Sequence, residues 1–155
     1  MNSNDVNAIW TEHLRRCINC CKVKENPNPT VFFCDACQAI ATLFPHGEHH
    51  RSRRGHAFVT KTLLRTIPAL YATEHTPLAE KTIHAHYFVG QCDWYIGELD
   101  PTTGDAFGYC DLGMGFPEWG YVNLRELEQT VVNGWLVVER DLDFEQTTAQ
   151  ELGLL

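Results

Sequence analysis

The chain has 155 residues, the size of one ordinary domain or of a small module joined to a modest one, which excludes enzymes built from separate cofactor and substrate lobes. Hydrophobic residues make up 44% and charged residues 21%, with 8 Phe, 5 Tyr and 4 Trp, a composition too apolar and aromatic for a disordered chain. The formal net charge of −8 is unevenly spread: 7 basic and 5 acidic residues stand in 1–57, against 5 basic and 15 acidic in 58–155, so the second part should repel nucleic acid rather than wrap it.

From the start of the chain, Asn4-Asp5 offers capping side chains before the apolar spacing of Val6, Ile9 and Leu14, so a short helix is expected to lead into Cys17. Pro27 and Pro29 mark a turn-rich loop, and Thr30-Val-Phe-Phe33 reads as a short strand ending at Cys34. Good helix formers then run from Asp35 to Phe44, where Pro45 stops them. The polar, glycine-bracketed segment 46–57 reads as a basic connector. Beyond it, Val59 to Leu70 holds a short helix with Thr60 or Thr62 as its cap. Thr82–Val89 and Asp93–Leu99 form a hairpin across Gly90-Gln-Cys92. Asp105–Leu112 and Trp119–Val122 follow as strands, Asn123 caps a helix over 124–130, and Trp135–Glu139 returns as a last strand. Residues 140–155 are acidic and expected to fray.

Three modules result: a finger over 1–45, a His/Arg linker over 46–57 and an α+β domain over 58–155, the last a small antiparallel sheet with short helices that folds without the finger. No stretch approaches the roughly 20 apolar residues of a bilayer span. Polar Met1–Trp10 lacks a basic start and an apolar signal core, so no membrane association and a cytoplasmic location are expected.

In that compartment an odd number of cysteines, 7, with C-x-x-C spacing points to metal rather than disulfides. Cys17-x2-Cys20 and Cys34-x2-Cys37 supply the four soft ligands of a tetrahedral Zn²⁺ site, similar to treble-clef or zinc-ribbon fingers, with the second pair at a helix N-terminus whose dipole favours thiolate. Cys21 competes with Cys20 as ligand, and redox-active thiols are the alternative use of the pairs. Four thiolates close the site, so the zinc is expected to be structural. His46-Gly-Glu-His-His50 matches no zinc-enzyme motif. With Arg51, Arg53 and Arg54 it forms a basic patch that could meet phosphate.

His84 and His86 are two apart on a strand, without an evident third ligand. Trp94, Tyr95, Phe107, Tyr109, Phe116, Trp119 and Tyr121 either build the core of a small sheet or line a groove. Trp94 and Tyr95 are adjacent and face opposite sides of one strand, so one of them is a candidate anchor for a partner, rimmed by Glu98, Asp100 and Asp105. Neither a phosphate-binding glycine loop nor a nucleophile elbow is present.

From Leu63 onward the order of motifs resembles a small bacterial family known as domain of unknown function 2958. The resemblance is carried by Ile67-Pro-Ala-Leu-Tyr-Ala-Thr-Glu74, Lys81-Thr-Ile-His-Ala-His-Tyr-Phe88, Trp94-Tyr-Ile-Gly-Glu-Leu-Asp-Pro101, Gly104-Asp-Ala-Phe-Gly-Tyr109, Glu118-Trp-Gly-Tyr121, Leu124-Arg-Glu-Leu127 and Val138-Glu-Arg-Asp-Leu142, spanning residues 60–147. The cysteine module, Cys92 and Cys110 fall outside that pattern. The resemblance implies a gene carried on plasmids, phages and other mobile elements, near anti-restriction and transfer genes, with no biochemical activity assigned.

The expected function is therefore a non-enzymatic protein-interaction or regulatory module of a mobile genetic element, acting on a host defence or nucleic-acid machine. A nucleic-acid-binding accessory protein using the finger and residues 46–56 is the alternative, and a small hydrolase with an unrecognised site is the second alternative.

Overall fold

The computed structural model describes residues 34–155 of the chain. The helix expected before Cys17, the pair Cys17 and Cys20, the neighbouring Cys21 and the strand expected over 30–33 lie outside the described residues.

Helix α1, Asp35–Leu43, begins after an extended Cys34 and ends where the Phe44 amide donates to the Ile40 carbonyl, one residue before Pro45. Its last carbonyls are capped from a distance: Arg125 donates Nε to the Leu43 oxygen at 2.7 Å and Nη2 to the Thr42 oxygen at 2.9 Å, which satisfies acceptors a helix terminus leaves open. A short α2, Arg51–Arg54, closes on Gly55 at φ +82°. α3, Lys61–Thr66, is shorter than expected, and Thr60 is its cap, accepting from the Leu63 amide. α4, Leu124–Gln129, starts at Asn123, whose side chain accepts from the amides of Arg125 and Glu126.

The main sheet has five antiparallel strands in the order β5-β4-β3-β2-β8, where β2 is Ala85–Val89, β3 Cys92–Leu99, β4 Asp105–Asp111, β5 Glu118–Asn123 and β8 Glu139–Arg140. Two-stranded pairs flank it: β1, Thr82–Ile83, with β9, Thr147–Thr148, and β6, Val131–Val132, with β7, Leu136–Val137. The strand expected over 135–139 is thus divided between a small ribbon and the main sheet. The described architecture is α+β, a small antiparallel sheet with short helices.

Strand alternation sorts the side chains. Tyr87, Trp94, Ile96, Leu99 and Ala106 face the helices and pack with Leu43, Phe44, Phe58, Leu63, Leu124 and Leu127 into the principal core. Tyr95, Tyr109 and Trp119 face the other side, where the carboxy-terminal tail covers them. The register shifts between Ile96 and Glu98 as β3 passes β4, a bulge that reverses the alternation: Leu99 enters the core opposite Ala106, and Glu98 stands opposite Phe107 on the aromatic side. Gly108, opposite Ile96, has no room for a side chain, because a β-carbon there would come within 2.1 Å of the Tyr95 carbonyl oxygen.

Two expectations need correction. Residues 140–155 are not frayed. β9 pairs with β1, and α5, Ala149–Leu152, carries a capping box in which Thr148 and Glu151 bond each other's backbone. Ala149 and Leu154 pack on Ile83, and the Trp119 indole donates to the Leu154 carbonyl at 3.2 Å. Nor is 46–57 a solvated connector. Glu48 accepts from the Phe58 amide at 2.9 Å, and Glu128 of α4 accepts from the amides of His49 at 3.0 Å and His50 at 2.8 Å. The polar residues that made this stretch look like linker are the hydrogen-bonding groups that fasten it.

Candidate functional site

The site grows from the bulge. By turning Glu98 to the aromatic side, it places a carboxylate that is only 2% exposed beneath the loop running from Pro68 to Lys81. That loop is threaded onto the sheet by the Leu99 amide, which donates to the Pro68 carbonyl at 3.0 Å. Glu98 then organises it: the carboxylate accepts from the Tyr71 amide at 2.6 Å, the Thr73 amide at 3.1 Å and the Thr73 hydroxyl. Lys81 completes the knot, donating from Nζ to the Thr73 carbonyl at 2.6 Å, the Thr73 hydroxyl at 2.7 Å and Glu98 at 3.2 Å. Its ammonium also lies 5.3 Å from the centre of the Phe107 ring. Burial alone would raise the Glu98 pKa, but the hydrogen bonds from Thr73, Tyr71 and Lys81 outweigh it and hold the carboxyl below its ordinary value.

Tyr71 is held at φ +69°, a conformation a bulky residue adopts only when its surroundings impose it. The reward is position: the Tyr71 ring stands at the mouth of an open cleft of about 380 Å³, with Tyr121 of β5 6.0 Å away centre to centre and Phe107 behind Tyr121 at 5.2 Å. Tyr71 and Tyr121 are 58% and 63% exposed. Glu74, His75 and Leu78 complete the rim. Both charges at the base of the cleft are engaged in holding backbone, so the groups left to meet a ligand are aromatic faces, the Glu74 carboxylate and the His75 imidazole.

The residues singled out by the sequence fall elsewhere. Cys34 and Cys37 are both buried, one helical turn apart at the start of α1, while their expected co-ligands lie outside the described residues. Arg51 and Arg53 are exposed, with Arg51 3.6 Å from Glu48. Arg54 is not part of any surface patch: its side chain is fully buried, 2.7 Å from Glu128, and its guanidinium carbon lies 4.6 Å from the centre of the Phe58 ring. Trp94 and Tyr95 face opposite sides as expected, but neither is an open anchor. Trp94 belongs to the principal core, and Tyr95 is half-buried between His86 and Phe144.

His84 and His86 are not brought together as ligands. Both ring nitrogens of His86 face carboxylates, Nε2 with Asp93 at 2.8 Å and Nδ1 with Asp141 at 3.1 Å, and the ring stacks on Tyr95. The bond from His86 holds the Asp141 carboxyl below its ordinary range. Burial lowers the pKa of His84. Among the described residues no group of three or more His, Cys, Asp or Glu is arranged to hold a metal ion, and no helix is long and apolar enough to cross a membrane. Sequence reasoning missed Tyr71 and the role of Lys81. The readable signal was Gly97, a glycine inside a strand pattern, which marks a bulge and so a change of face for Glu98.

A helix-backed antiparallel sheet whose other side carries a clamped loop and an aromatic cleft defines a small α+β domain. Residues 67–151, more than half of the chain, match the family described as protein of unknown function (DUF2958), and the chain belongs to that family. The match includes Tyr71, Lys81, Glu98 and Tyr121. No curated protein and no solved structure matches the chain.

Proposed function

We propose that this chain is a non-enzymatic protein-interaction module, carried by a plasmid or phage, that binds a component of a host defence or nucleic-acid machine through the cleft between Tyr71 and Tyr121. The observation that carries this reading is the locked loop: Glu98 and Lys81 spend a buried ion pair and a left-handed tyrosine on fixing one exposed ring. Rigid, exposed aromatic rings are the commonest anchors of protein interfaces, since they offer large contact area for little lost rotamer freedom. The full chain, used as bait in its host, should retain a protein partner after nuclease treatment. Tyr71→Ala combined with Tyr121→Ala should abolish retention with the thermal transition preserved. Retention that is destroyed by nuclease, falls steeply with salt and depends on Arg51 and Arg53 would assign the chain to nucleic acid instead.

The same reading includes a structural zinc on Cys17, Cys20, Cys34 and Cys37, serving to fold a module too small for an adequate core of its own. Its support within the described residues is the second pair, both buried, with Cys34 at the N-cap of a nine-residue helix and Cys37 in its first turn. Elemental analysis of protein purified without added metal should find one zinc per chain, lost on Cys34→Ser. Metal-free protein with all its finger thiols reactive would overturn this assignment.

A further inference from the structure

This inference rests on the interaction reading and names the chemistry of the partner. Among the described residues β5 is an edge of the main sheet, bonded to β4 on one side only. Natural sheets blunt their edges with short strands, lysines or prolines, because an open edge is a template for another strand. The opposite edge, β8, follows that rule with two residues. β5 does not: Glu-Trp-Gly-Tyr-Val-Asn is six residues long, carries one charge and has its proline, Pro117, outside the strand. A strand added here gains main-chain hydrogen bonds irrespective of its sequence, and pockets for alternate side chains supply selectivity.

Tyr121 joins this edge to the cleft, since it belongs to the strand and also lines the cavity facing Tyr71. A side chain reaching in from an added strand would therefore lie against two exposed rings. The sign of that side chain follows from the charges present. Lys81 and Glu98 neutralise one another at 3.2 Å, leaving the Glu74 carboxylate and the His75 imidazole on the rim, while Asp111 and Glu118 lie at the β4–β5 end of the edge. Ring faces and carboxylates together favour a cation. A second copy of this chain is disfavoured as occupant, because antiparallel pairing of the two edges would bring Glu118 and Asp111 of one chain toward Asp105, beside Asn123, of another chain of charge −8.

We infer that β5 receives an extended, basic segment of another protein as an added strand, with a lysine or arginine of that segment lying against the exposed faces of Tyr71 and Tyr121 beside Glu74. The test uses the full chain and three fluorescent eight-residue peptides: alternating valine and lysine, the same with glutamate for lysine, and the lysine peptide N-methylated at alternate amides. The lysine peptide should bind, with affinity about tenfold weaker for Tyr121→Ala, whose ring is mostly solvent-exposed. The glutamate and N-methylated peptides should each bind at least about tenfold more weakly than the lysine peptide.

Equal binding of the lysine and glutamate peptides, indifference to N-methylation or to Tyr121→Ala, or no binding of any peptide would each overturn the inference. So would a dimer in sedimentation that Tyr121→Lys dissolves, since the edge would then serve the chain itself. If the bait retains a partner through Tyr71 and Tyr121 while every peptide fails, the basic strand is refuted and the interaction module stands. If bait and peptides both fail, both readings fall.

Discussion

Glu98→Ala should destabilise the domain by about 3–5 kcal/mol, the cost of stranding one member of a buried ion pair. Lys81 is itself only 5% exposed, so its ammonium cannot turn to water when its carboxylate is gone. The Thr73 oxygens would still accept from it, but they do not cancel its charge. The loop loses its anchor at the same time, because the amides of Tyr71 and Thr73 donate to the same carboxylate. Replacing Glu98 by Leu and Lys81 by Met together should recover much of the stability while leaving Tyr71 unheld, which separates the cost of buried charge from the placement of the ring. Urea denaturation monitored by tryptophan fluorescence measures both. The pH dependence has a definite sign. The folded-state pKa of Glu98 lies below its ordinary 4.5, so its contribution is complete well above that value and disappears as pH falls through the folded-state pKa. The stability gap between wild type and Glu98→Gln should therefore close on acidification below 4.5.

Arg54→Ala should cost a comparable amount, about 3–5 kcal/mol, through a different part of the molecule. Glu128 is 1% exposed, and its nearest cation is the Arg54 guanidinium at 2.7 Å. Removing the guanidinium leaves that carboxylate with the amides of His49 and His50, and also empties the space over Phe58 and beneath the Val138 carbonyl, to which Nη1 donates at 3.1 Å. Arg54→Lys should rescue poorly, since an ammonium cannot reach Glu128 and Val138 in one fork. Hydrogen exchange at the amides of His49, His50 and Phe58 should accelerate together in the variant, marking release of the whole segment rather than local fraying.

These two clusters show where the sequence was readable and where it was not. β2, β3, β4 and β5 were legible because each is a short run rich in aromatic and β-branched residues bounded by turn-forming residues. The caps Thr60 and Asn123 were legible because a cap is a local device. Arg54 was misread because the residue that makes it structural, Glu128, is 74 positions away, and an arginine in a polar run looks solvated until its partner is known. The tail was misread for the same reason: its acids are on the surface, while the residues that dock it, Phe144, Ala149 and Leu154, meet Tyr95 and Ile83 from far along the chain. Of the site, the sequence showed the aromatic content and the opposed faces of Trp94 and Tyr95. It did not show which rings stay open, because the bulge at Gly97 and the docking of the tail decide that jointly.

The docking of α1 bears on how such a protein can be rearranged. Leu43 and Phe44 at its far end belong to the principal core, and Arg125 grips its last two carbonyls, so the helix that follows Cys34 and carries Cys37 finishes inside that core. A nine-residue helix is a stiff rod about 13 Å long. The front of the chain is therefore not a bead on a string that recombination could swap as a cassette at residue 45 or 57. A cut at either place would remove two core side chains, and a cut at 57 would also strip the cation from Glu128. An exchange that preserves both halves has to fall before Cys34, within the stretch that precedes the rod.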